Sequence, residues 1–484
     1  SYAIIARMLR RTKIVATLGP ASERRKTLCK MIRSGLDVAR LNFSHGTADD
    51  HRARARKLRD AAEECGRDVG LLGDLQGPKI RVMRFETGSV HLSDGDAFFL
   101  DSALGIDDGT SAGVGVALET LHEDVRERDT LLLNYGLISL RVERVEGTRV
   151  HTTVVDGGIL SDHKGINLKG GGLSAHALTD IDRENIKLAA ELEIDFLAVS
   201  FVRSGDDIRE ARRLFQEAGG KGLIVAKIER TEAIDNIDSI IEAADVIMFA
   251  RGDLGVEMGY AGLTGIQKSL IQETRKAHKI VITATQMMES MIDNPIPTRA
   301  EVSDVANAVI DGTDAVMLSG ETAVGKYPNK AIQAMAEVCV GAEKYHAPQG
   351  ETRRVEDQFT RVDEAIAMAT MYTANHMDVG AIVALTESGS TTRWMSRVRS
   401  DIPIYALTPH KATKRRVALY RGVYPVEFDV DAHVPGRLYQ DIFATLLSHG
   451  HVSVGDLVVF TKGDLQGISG NTNVMIILRV PEET

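Results

Sequence analysis

The sequence is poor in cysteine and has no long apolar run. Its three cysteines, Cys29, Cys65 and Cys339, are scattered and lack the spacing of metal ligands, so they indicate a reducing compartment and no disulfide framework. No apolar run approaches the ~20 residues that span a bilayer. The net charge of -10 argues against general binding to nucleic acids or membrane surfaces. We therefore expect a cytoplasmic protein with neither a nucleic acid nor a membrane as a partner.

What the sequence does contain, from Thr12 to about Tyr345, is an alternation of short apolar runs with amphipathic helical stretches. Short, bounded runs with β-branched residues predict buried strands. Eight such βα units are the number in a (β/α)8 barrel, and the chain is long enough for further domains. The predicted strands are Lys13–Leu18, Val38–Phe43, Val69–Asp74, Phe196–Phe201, Leu223–Ile228, Val246–Ala250, Ile280–Thr285 and Ala315–Leu318.

Two segments depart from this alternation. Residues 83–177 are far longer than an ordinary βα loop, and their short runs between Gly/Asp turns predict a small inserted β-barrel domain, placed to act as a lid. A charged stretch follows Tyr345, and a second α/β pattern begins beyond it. We expect an N-terminal tail (1–11), an A domain with the barrel (12–82 and 178–345), a B lid domain (83–177) and a C-terminal α/β domain (346–484).

Polar residues follow seven of the eight predicted strands. In (β/α)8 enzymes the carboxyl ends of the strands form the active-site face. One charged residue at one such end is usually a solvated loop or a structural ion pair, whereas polar residues after seven strands favour an enzyme. The segments are Thr17–Pro20, Arg40–His45, Asp74–Arg81, Lys227–Glu229, Arg251–Asp253, Thr283–Gln286 and Ser319–Glu321.

Lys227, Glu229 and Asp253 carry the central hypothesis. Lys227 and Glu229 are two residues apart, so on a strand they project from the same face. Asp253 is expected on the loop after the next strand, close enough for Glu229 and Asp253 to share Mg2+ or Mn2+, which take oxygen ligands. A lysine beside such a site stabilises an anion that forms during a reaction. The plainer alternative is a Lys227–Glu229 or Arg251–Asp253 ion pair.

Three further segments predict anion sites. Gly252 and Asp253 are expected to open a loop whose backbone N–H groups bind a carboxylate or a phosphate. Arg40, Arg81 and His45 lie at the ends of neighbouring strands and suit a phosphate.

The third segment is Thr386–Thr392, which follows a strand and precedes a helix. Ser/Thr/Gly loops at helix N-termini bind phosphate, although Ser and Thr are also ordinary N-cap residues. By contrast, the GxxxxGK match at Gly320–Tyr327 is rejected as a nucleotide-binding loop, because Tyr327 stands where Ser or Thr must hold Mg2+.

Six motifs together resemble the pyruvate kinase family. The match runs in the same order from about residue 12 to the C-terminus, and it implies a phosphotransferase that converts phosphoenolpyruvate and ADP into pyruvate and ATP in glycolysis. It also implies A, B and C domains assembled as a homotetramer. The motifs are TKIVATLGP (12–20), RLNFSHG (40–46), GPKIR (77–81), ARGDLG (250–255), TQM (285–287) and MLSGETA (317–323).

The resemblance also implies roles for matching residues. Lys227 would stabilise the transferring phosphoryl group and the enolate, and Glu229 and Asp253 would hold the divalent cation. Gly252, Asp253 and Thr285 would hold the substrate carboxylate, and Thr285 would help deliver a proton to the enolate carbon.

On the phosphate and nucleotide sides, the family match implies a second set of residues. Arg40 would bind the phosphate of phosphoenolpyruvate and, with Arg81, count among the catalytic residues. The nucleotide side would be lined by Asn42, Ser44, His45, Arg81 and, from the lid, Lys164.

One departure from many family members concerns potassium. Asn42, Ser44 and Asp74 match the family's ligands for an essential K+, but this chain has Lys79 where many members have Glu. The family's K+-independent branch also has Lys there, and an ammonium can supply the positive charge of the ion. We therefore expect Lys79 to serve this site and K+ not to be required.

A second departure concerns the effector. Thr386, Ser388, Gly389, Ser390 and Thr391 fit the family's sugar-phosphate loop, but Thr461–Gly470 lacks the Trp and Arg of members activated by fructose 1,6-bisphosphate. We expect allosteric activation by a monophosphate instead, such as glucose 6-phosphate, ribose 5-phosphate or AMP.

Two other functions stay open from the residues alone. A class II-type aldolase or lyase would share the carboxylate metal site but would need neither a lid nor Lys164. A sugar-phosphate sensor with an inactive barrel is the non-enzymatic alternative, and the joint presence of Lys227, Glu229, Asp253 and Thr285 argues against it.

Overall fold

A computed structural model describes residues 9–78, 80–345, 359–463 and 472–482. The chain divides into two compact units. The first comprises Ser1–Gly73, Leu192–Phe196 and Ile271–Thr484, and the second comprises Asp74–Glu191 and Leu197–Leu270. No helix in the described ranges is long and apolar enough to cross a membrane.

The chain begins with three parallel strands joined by two helices. Their bounds are β1 (Lys13–Thr17), β2 (Val38–Asn42), β3 (Gly70–Asp74), α1 (Arg25–Ser34) and α2 (Ala48–Glu64), with a 3-10 turn at Pro20–Ser22. Every residue of β1 and β3 is buried, as expected for strands covered on both faces. Thr47 and Asp50 form a capping box that starts α2.

A mainly antiparallel β region follows β3. Its elements are β4 (Ser89–Leu92), β5 (Ala97–Asp101), β6 (Gly113–Gly115), α3 (Leu121–Asp124), β7 (Thr130–Leu133), β8 (Ile138–Glu146), β9 (Arg149–Asp156), β10 (Gly158–Ser161) and β11 (Ile166–Leu168). Strands β11-β7-β8-β9-β5-β6 make a six-stranded sheet, and β4 pairs with β10. Leu100, Leu131 and Val142 lie in its own fully buried core.

The barrel then resumes. Its elements are α4 (Asp180–Glu191), β12 (Phe196–Val199), α5 (Gly205–Glu217), β13 (Leu223–Ile228), α6 (Thr231–Asp235), α7 (Ile237–Ala243), β14 (Val246–Ala250), α8 (Arg251–Met258), α9 (Tyr260–Lys276), β15 (Ile280–Ala284), a 3-10 turn (Glu289–Ile292), α10 (Arg299–Asp311), β16 (Ala315–Leu318), α11 (Gly320–Ala323) and α12 (Pro328–Tyr345). The predicted (β/α)8 barrel is confirmed: the sheet closes in the order β1-β16-β15-β14-β13-β12-β3-β2.

The C-terminal residues form the predicted second α/β sheet. Its elements are α13 (Val362–Asn375), β17 (Ala381–Leu385), α14 (Ser390–Ser396), β18 (Ile404–Thr408), α15 (Lys411–Val417), β19 (Val423–Glu427), 3-10 turns (Val430–Ala432 and Pro435–Arg437), α16 (Leu438–Ser448), β20 (Leu457–Gly463) and β21 (Thr472–Arg479). The order is β19-β18-β17-β20-β21, and β21 alone in this sheet runs antiparallel to its neighbour.

An aspartate stands directly before each of the strands β2, β12, β14 and β16. Its carboxylate accepts a backbone hydrogen bond from the barrel strand that precedes it in sequence, at 2.8–2.9 Å, and pairs with an arginine. Two of the arginines lie in the C-terminal residues. We call these pairs the aspartate clasps: Asp37–Arg10, Asp195–Arg415, Asp245–Arg212 and Asp314–Arg397.

Candidate active site

Lys227 lies near the carboxyl end of β13, and its side chain is only 10% exposed. Its Nζ lies 2.7 Å from Ser200 Oγ, 2.9 Å from Glu229 Oε1 and 3.2 Å from Asp74 Oδ1. An ammonium has three N–H donors and no acceptor, so three oxygen atoms at these distances match its bonding capacity. The side chain is therefore held in one place.

Glu229 follows β13 and is buried. Its Oε2 accepts a 2.9 Å hydrogen bond from the backbone N–H of Phe201, a residue with φ of 54°. A bulky residue with positive φ costs ~1–3 kcal/mol and persists only where the surroundings enforce it. Burial raises the pKa of Glu229; Lys227 opposes the rise, whereas the charges of Asp253 and Asp74 add to it.

The expected loop at Gly252 and Asp253 is wrong. Helix α8 begins at Arg251, directly after the last residue of β14, so Gly252 and Asp253 lie in the first helical turn. No residue separates the strand from the helix: Ala250 is extended and Arg251 is already helical. The first turn of a helix attracts anions through its N–H groups and the helix dipole, so an anion site remains compatible with this geometry.

Sequence reasoning missed Ser200 in this cluster. The residue is 1% exposed, donates a 2.7 Å hydrogen bond to the carbonyl of Leu75 and lies 3.4 Å from Asp74 Oδ1. The predicted strand Phe196–Phe201 included Ser200, whereas β12 ends at Val199, so the residue was not recognised as one that follows a strand. A polar residue near the end of an apolar run was the available signal. Asp74, which was predicted at a monovalent cation site, lies in contact with Lys227.

Arg40 lies on β2 and is 9% exposed. Its Nη1 donates a 2.9 Å hydrogen bond to Thr17 Oγ1, and that hydroxyl donates to the carbonyl of Leu318 at 3.0 Å. The hydroxyl proton is thereby committed to the carbonyl, which leaves its oxygen to accept from the guanidinium. Thr17 thus orients Arg40.

The end of β2 forms a tight turn. Asn42 Oδ1 accepts from the N–H of Ser44 at 3.1 Å, and the carbonyl of Asn42 accepts from the N–H of His45 at 3.2 Å. The turn therefore brings these three predicted nucleotide-side residues together.

Thr285 follows β15 in a strained conformation. Thr285 and Gln286 have φ of 69° and 53°, although neither is glycine and threonine is β-branched. The Thr285 hydroxyl donates to the carbonyl of Ala284 at 2.6 Å. Strain of this kind is typical of functional sites.

Arg81 and Lys164 are brought together by backbone pairing. Arg81 forms an antiparallel bridge with Gly165, and the N–H of Val82 donates to the carbonyl of Lys164 at 2.9 Å. Both side chains are half-buried. Lys79, predicted to serve the monovalent site, lies outside the described residues.

The predicted effector loop, Thr386–Thr392, is shorter than expected, because α14 begins at Ser390 and includes its last three residues. Thr386 Oγ1 accepts from the N–H of Gly389 at 2.9 Å, and Gly389 has φ of 83°. Thr391 is buried and its hydroxyl lies 2.6 Å from that of Thr472, whereas Ser388 and Ser390 are half-buried. Most of the second predicted effector segment, 464–470, lies outside the described residues.

Oxygen atoms dominate the cluster around Lys227, and hard divalent cations prefer such ligands. In the described ranges there is no group of three or more His, Cys, Asp or Glu side chains arranged to hold a metal ion. Glu229 and Asp253 are close enough for each charge to act on the other, and their donor chemistry fits Mg2+ or Mn2+.

Comparisons with known proteins match nearly the whole chain. A family model for the pyruvate kinase barrel domain matches residues 9–332, and one for the pyruvate kinase alpha/beta domain matches residues 364–478. The chain is 52% identical to pyruvate kinase II of Salmonella typhimurium over 98% of this chain and 100% of that protein. It is 50% identical to a pyruvate kinase of Haemophilus influenzae, over 97% and 98% of the two chains. Identity to a pyruvate kinase of Geobacillus stearothermophilus is 42%, over 97% of this chain and 80% of that one.

Proposed function

The chain belongs to the pyruvate kinase family and is a phosphotransferase, and from this premise we propose how its residues act in phosphoryl transfer from phosphoenolpyruvate to ADP. The proposal rests on Lys227, whose ammonium lies 2.7–3.2 Å from three oxygen atoms. Phosphoryl transfer depends on positioning and charge neutralisation more than on covalent catalysis. A fixed, mostly buried ammonium meets that need, since it stabilises the transferring phosphoryl group and then the enolate.

Family members use a divalent cation, and we assign its ligands here to Glu229 and Asp253, with Mg2+ or Mn2+ as the ion. This is supported by the oxygen donors and by the raised pKa of Glu229, which is caused by burial and by the neighbouring charges of Asp253 and Asp74. When bound, such a cation neutralises charge on the phosphate and enolate oxygens.

On the phosphoenolpyruvate side, Arg40 binds the phosphate, and its hydrogen bond to Thr17 sets the direction of the guanidinium. Gly252, Asp253 and Thr285 hold the substrate carboxylate. The location of Gly252 and Asp253 in the first turn of α8 supports this, because helix N-termini favour anions. Thr285 also helps to deliver the proton to the enolate carbon.

On the nucleotide side, Arg81 is a catalytic residue and acts with Lys164. Their adjacent backbones support a joint role for the two cations. Asn42, Ser44 and His45 line the same side through the turn that ends β2. The B domain (83–177) carries Lys164 and acts as the lid of the A domain (12–82 and 178–345).

The remaining proposals concern regulation and assembly. The C domain (346–484) binds a phosphorylated effector at Thr386, Ser388, Gly389, Ser390 and Thr391. The left-handed Gly389 and the hydroxyl-rich turn before α14 support a phosphate ligand there. We propose glucose 6-phosphate, ribose 5-phosphate or AMP, and a cytoplasmic homotetramer. Titrating each compound at low phosphoenolpyruvate tests the effector, and flat responses to all of them would reject it.

A coupled assay for pyruvate, run with and without ADP, tests the main proposal. A pyruvate kinase forms pyruvate only when ADP is present. Formation without ADP would indicate a lyase, and no formation under either condition would indicate a non-enzymatic sensor.

The same assay in K+-free buffer tests the predicted role of Lys79. Full activity without K+ is expected, since a tethered ammonium supplies the charge of the ion. Lys79→Glu should then create a K+ requirement. A large K+ stimulation of the unaltered protein would reject the idea.

A further inference from the structure

The inserted β region returns to the barrel through three consecutive glycines, Gly170, Gly171 and Gly172. Their φ angles are 88°, 84° and 110°, a region that residues with side chains rarely adopt. A Cβ added to Gly171 would lie 3.0 Å from both Glu232 Oε2 and Thr231 Cβ. This return hinge, residues 170–175, is therefore fitted closely against the segment that follows β13.

Arg230 binds the return hinge through its guanidinium. Arg230 is buried, with only 4% of its surface exposed. Its guanidinium donates hydrogen bonds to the carbonyls of Leu173 and Ala175 and pairs with Glu232 at 3.2 Å. A planar guanidinium can bind two carbonyls at once, which an ammonium cannot reproduce in the same geometry. Arg230 directly follows Glu229 in the chain, so its guanidinium joins the hinge to the segment that carries that carboxylate.

Two glutamates complete the contact. Glu232 Oε1 accepts from the N–H of Gly172 at 2.6 Å. Glu257 Oε2 accepts from the N–H of Thr231 at 3.0 Å, and the carbonyl of Glu257 accepts from the N–H of Gly170 at 3.1 Å. Glu257 lies on α8, one helical turn beyond Asp253, and is buried.

We propose that Arg230, Glu232 and Glu257 form a hinge latch, a set of positioning residues that ties the return hinge to the two segments bearing Glu229 and Asp253. The inference rests on the proposed function, because it assumes that Lys164, which precedes the hinge in the same inserted region, acts on the nucleotide. The latch sets the position of the lid relative to β13 and α8. Its loss therefore weakens nucleotide use while the phosphoenolpyruvate contacts of the barrel persist.

Steady-state kinetics of Arg230→Met test the latch. The KM for ADP should rise about tenfold, because charged hydrogen bonds to two hinge carbonyls are lost, and the KM for phosphoenolpyruvate should stay within about twofold. Arg230→Lys keeps the positive charge and one donor direction. Its KM for ADP should therefore lie between those of Arg230→Met and the unaltered protein. Arg212→Met is the matched control: it removes an arginine that pairs with Asp245 at 2.9 Å and donates to the carbonyl of Ala243, just before β14.

Two outcomes would overturn the latch. Unchanged KM values in Arg230→Met would do so, and so would a fall in Vmax alone that Arg212→Met matches, since a smaller folded fraction lowers Vmax without changing KM. Equal changes in both KM values would also do so, because they would indicate a general distortion of the site. If Arg230→Met does not fold, Glu257→Gln gives a second measurement, with a smaller rise in the KM for ADP expected. Each experiment includes the unaltered protein, which should form pyruvate when ADP is present. If it does not, the proposed function is rejected, and this result is distinct from failure of the latch.

Discussion

The amino and carboxyl ends of the barrel strands use the same charged residue types in different ways. At the amino ends, each clasp aspartate has a backbone N–H and an arginine as partners within the fold. At the carboxyl ends, burial raises the pKa of Glu229, Lys227 opposes the rise, and the charges of Asp253 and Asp74 add to it. The first arrangement fixes the fold, and the second places three carboxylates around one ammonium, an excess of negative charge that suits a cation.

Backbone conformation also differs between the two ends. Phe201, Thr285 and Gln286 have positive φ, and each follows the carboxyl end of a barrel strand. At the amino ends Glu193 and His278 have positive φ too, but each lies just after a helix, where a left-handed residue is a common helix end. Positive φ in the bulky Phe201 and the β-branched Thr285 costs ~1–3 kcal/mol each, which indicates that the carboxyl ends are adapted to chemistry at the cost of stability.

The largest effect should come from the carboxyl end. We expect Lys227→Met to lower kcat by about 1000-fold or more, because a preorganised charge aimed at the developing anion is removed, and to spare most of the affinity for phosphoenolpyruvate. Steady-state kinetics with ADP and phosphoenolpyruvate measure both quantities. A near-normal kcat in this variant would show that Lys227 is not catalytic. The contrast between the two ends would then no longer hold.

The next effect should come from the amino end and should change stability. Arg397 and Asp314 are fully buried, so Arg397→Met leaves an unpaired buried carboxylate and should lower the free energy of unfolding by ~3–5 kcal/mol. We expect kcat of the folded variant to change little. Urea unfolding measures the loss, and Arg212→Met, whose arginine side chain is 30% exposed, serves as the milder comparison. A large fall in kcat at unchanged stability would contradict the division of roles.

Particular residues show how far sequence reasoning reaches. Strands such as Leu223–Ile228 and Val246–Ala250 agree with prediction at both ends, because a bounded apolar run is a local signal. The contact of Lys227 with Glu229 follows from strand alternation in the same way. The clasps were not predicted, since an aspartate before a strand is indistinguishable from a turn residue until its arginine, often far away in sequence, is located.

The remaining gaps have the same cause. The hydrogen bond from Lys227 to Ser200 joins the ends of two neighbouring strands, β13 and β12, and the register that places the two side chains together is set only in the folded sheet. The strain at Thr285 is imposed by its surroundings, since threonine itself disfavours positive φ. The start of α8 at Arg251 was missed because Gly252 suggested a loop, whereas tertiary packing overrides the weak helix propensity of glycine.

Thr285→Gly should separate strain from function. Glycine accepts positive φ freely, so the release of strain should exceed the added entropy of the unfolded chain and raise the free energy of unfolding by ~1 kcal/mol. The kcat should fall, because the hydroxyl that we assign to proton delivery is lost. Thr285→Ser keeps the hydroxyl and is the matched control for activity. Lower stability of the glycine variant would show that this end is not strained.

At neutral pH the smallest effect should come from His51, whose titration changes stability only below about pH 6.5. His51 is buried and packs edge-on against Phe43, and burial lowers its pKa from the usual 6.5 to about 4. Because the unfolded chain binds this proton more readily than the folded one, the contribution to stability is complete above about pH 6.5 and is lost as the pH falls toward 4. His51→Phe should make the midpoint of urea unfolding less dependent on pH over that interval than it is in the unaltered protein. None of the clasps contains a histidine. If the urea midpoint depends equally on pH in both proteins, a group other than His51 titrates in this interval.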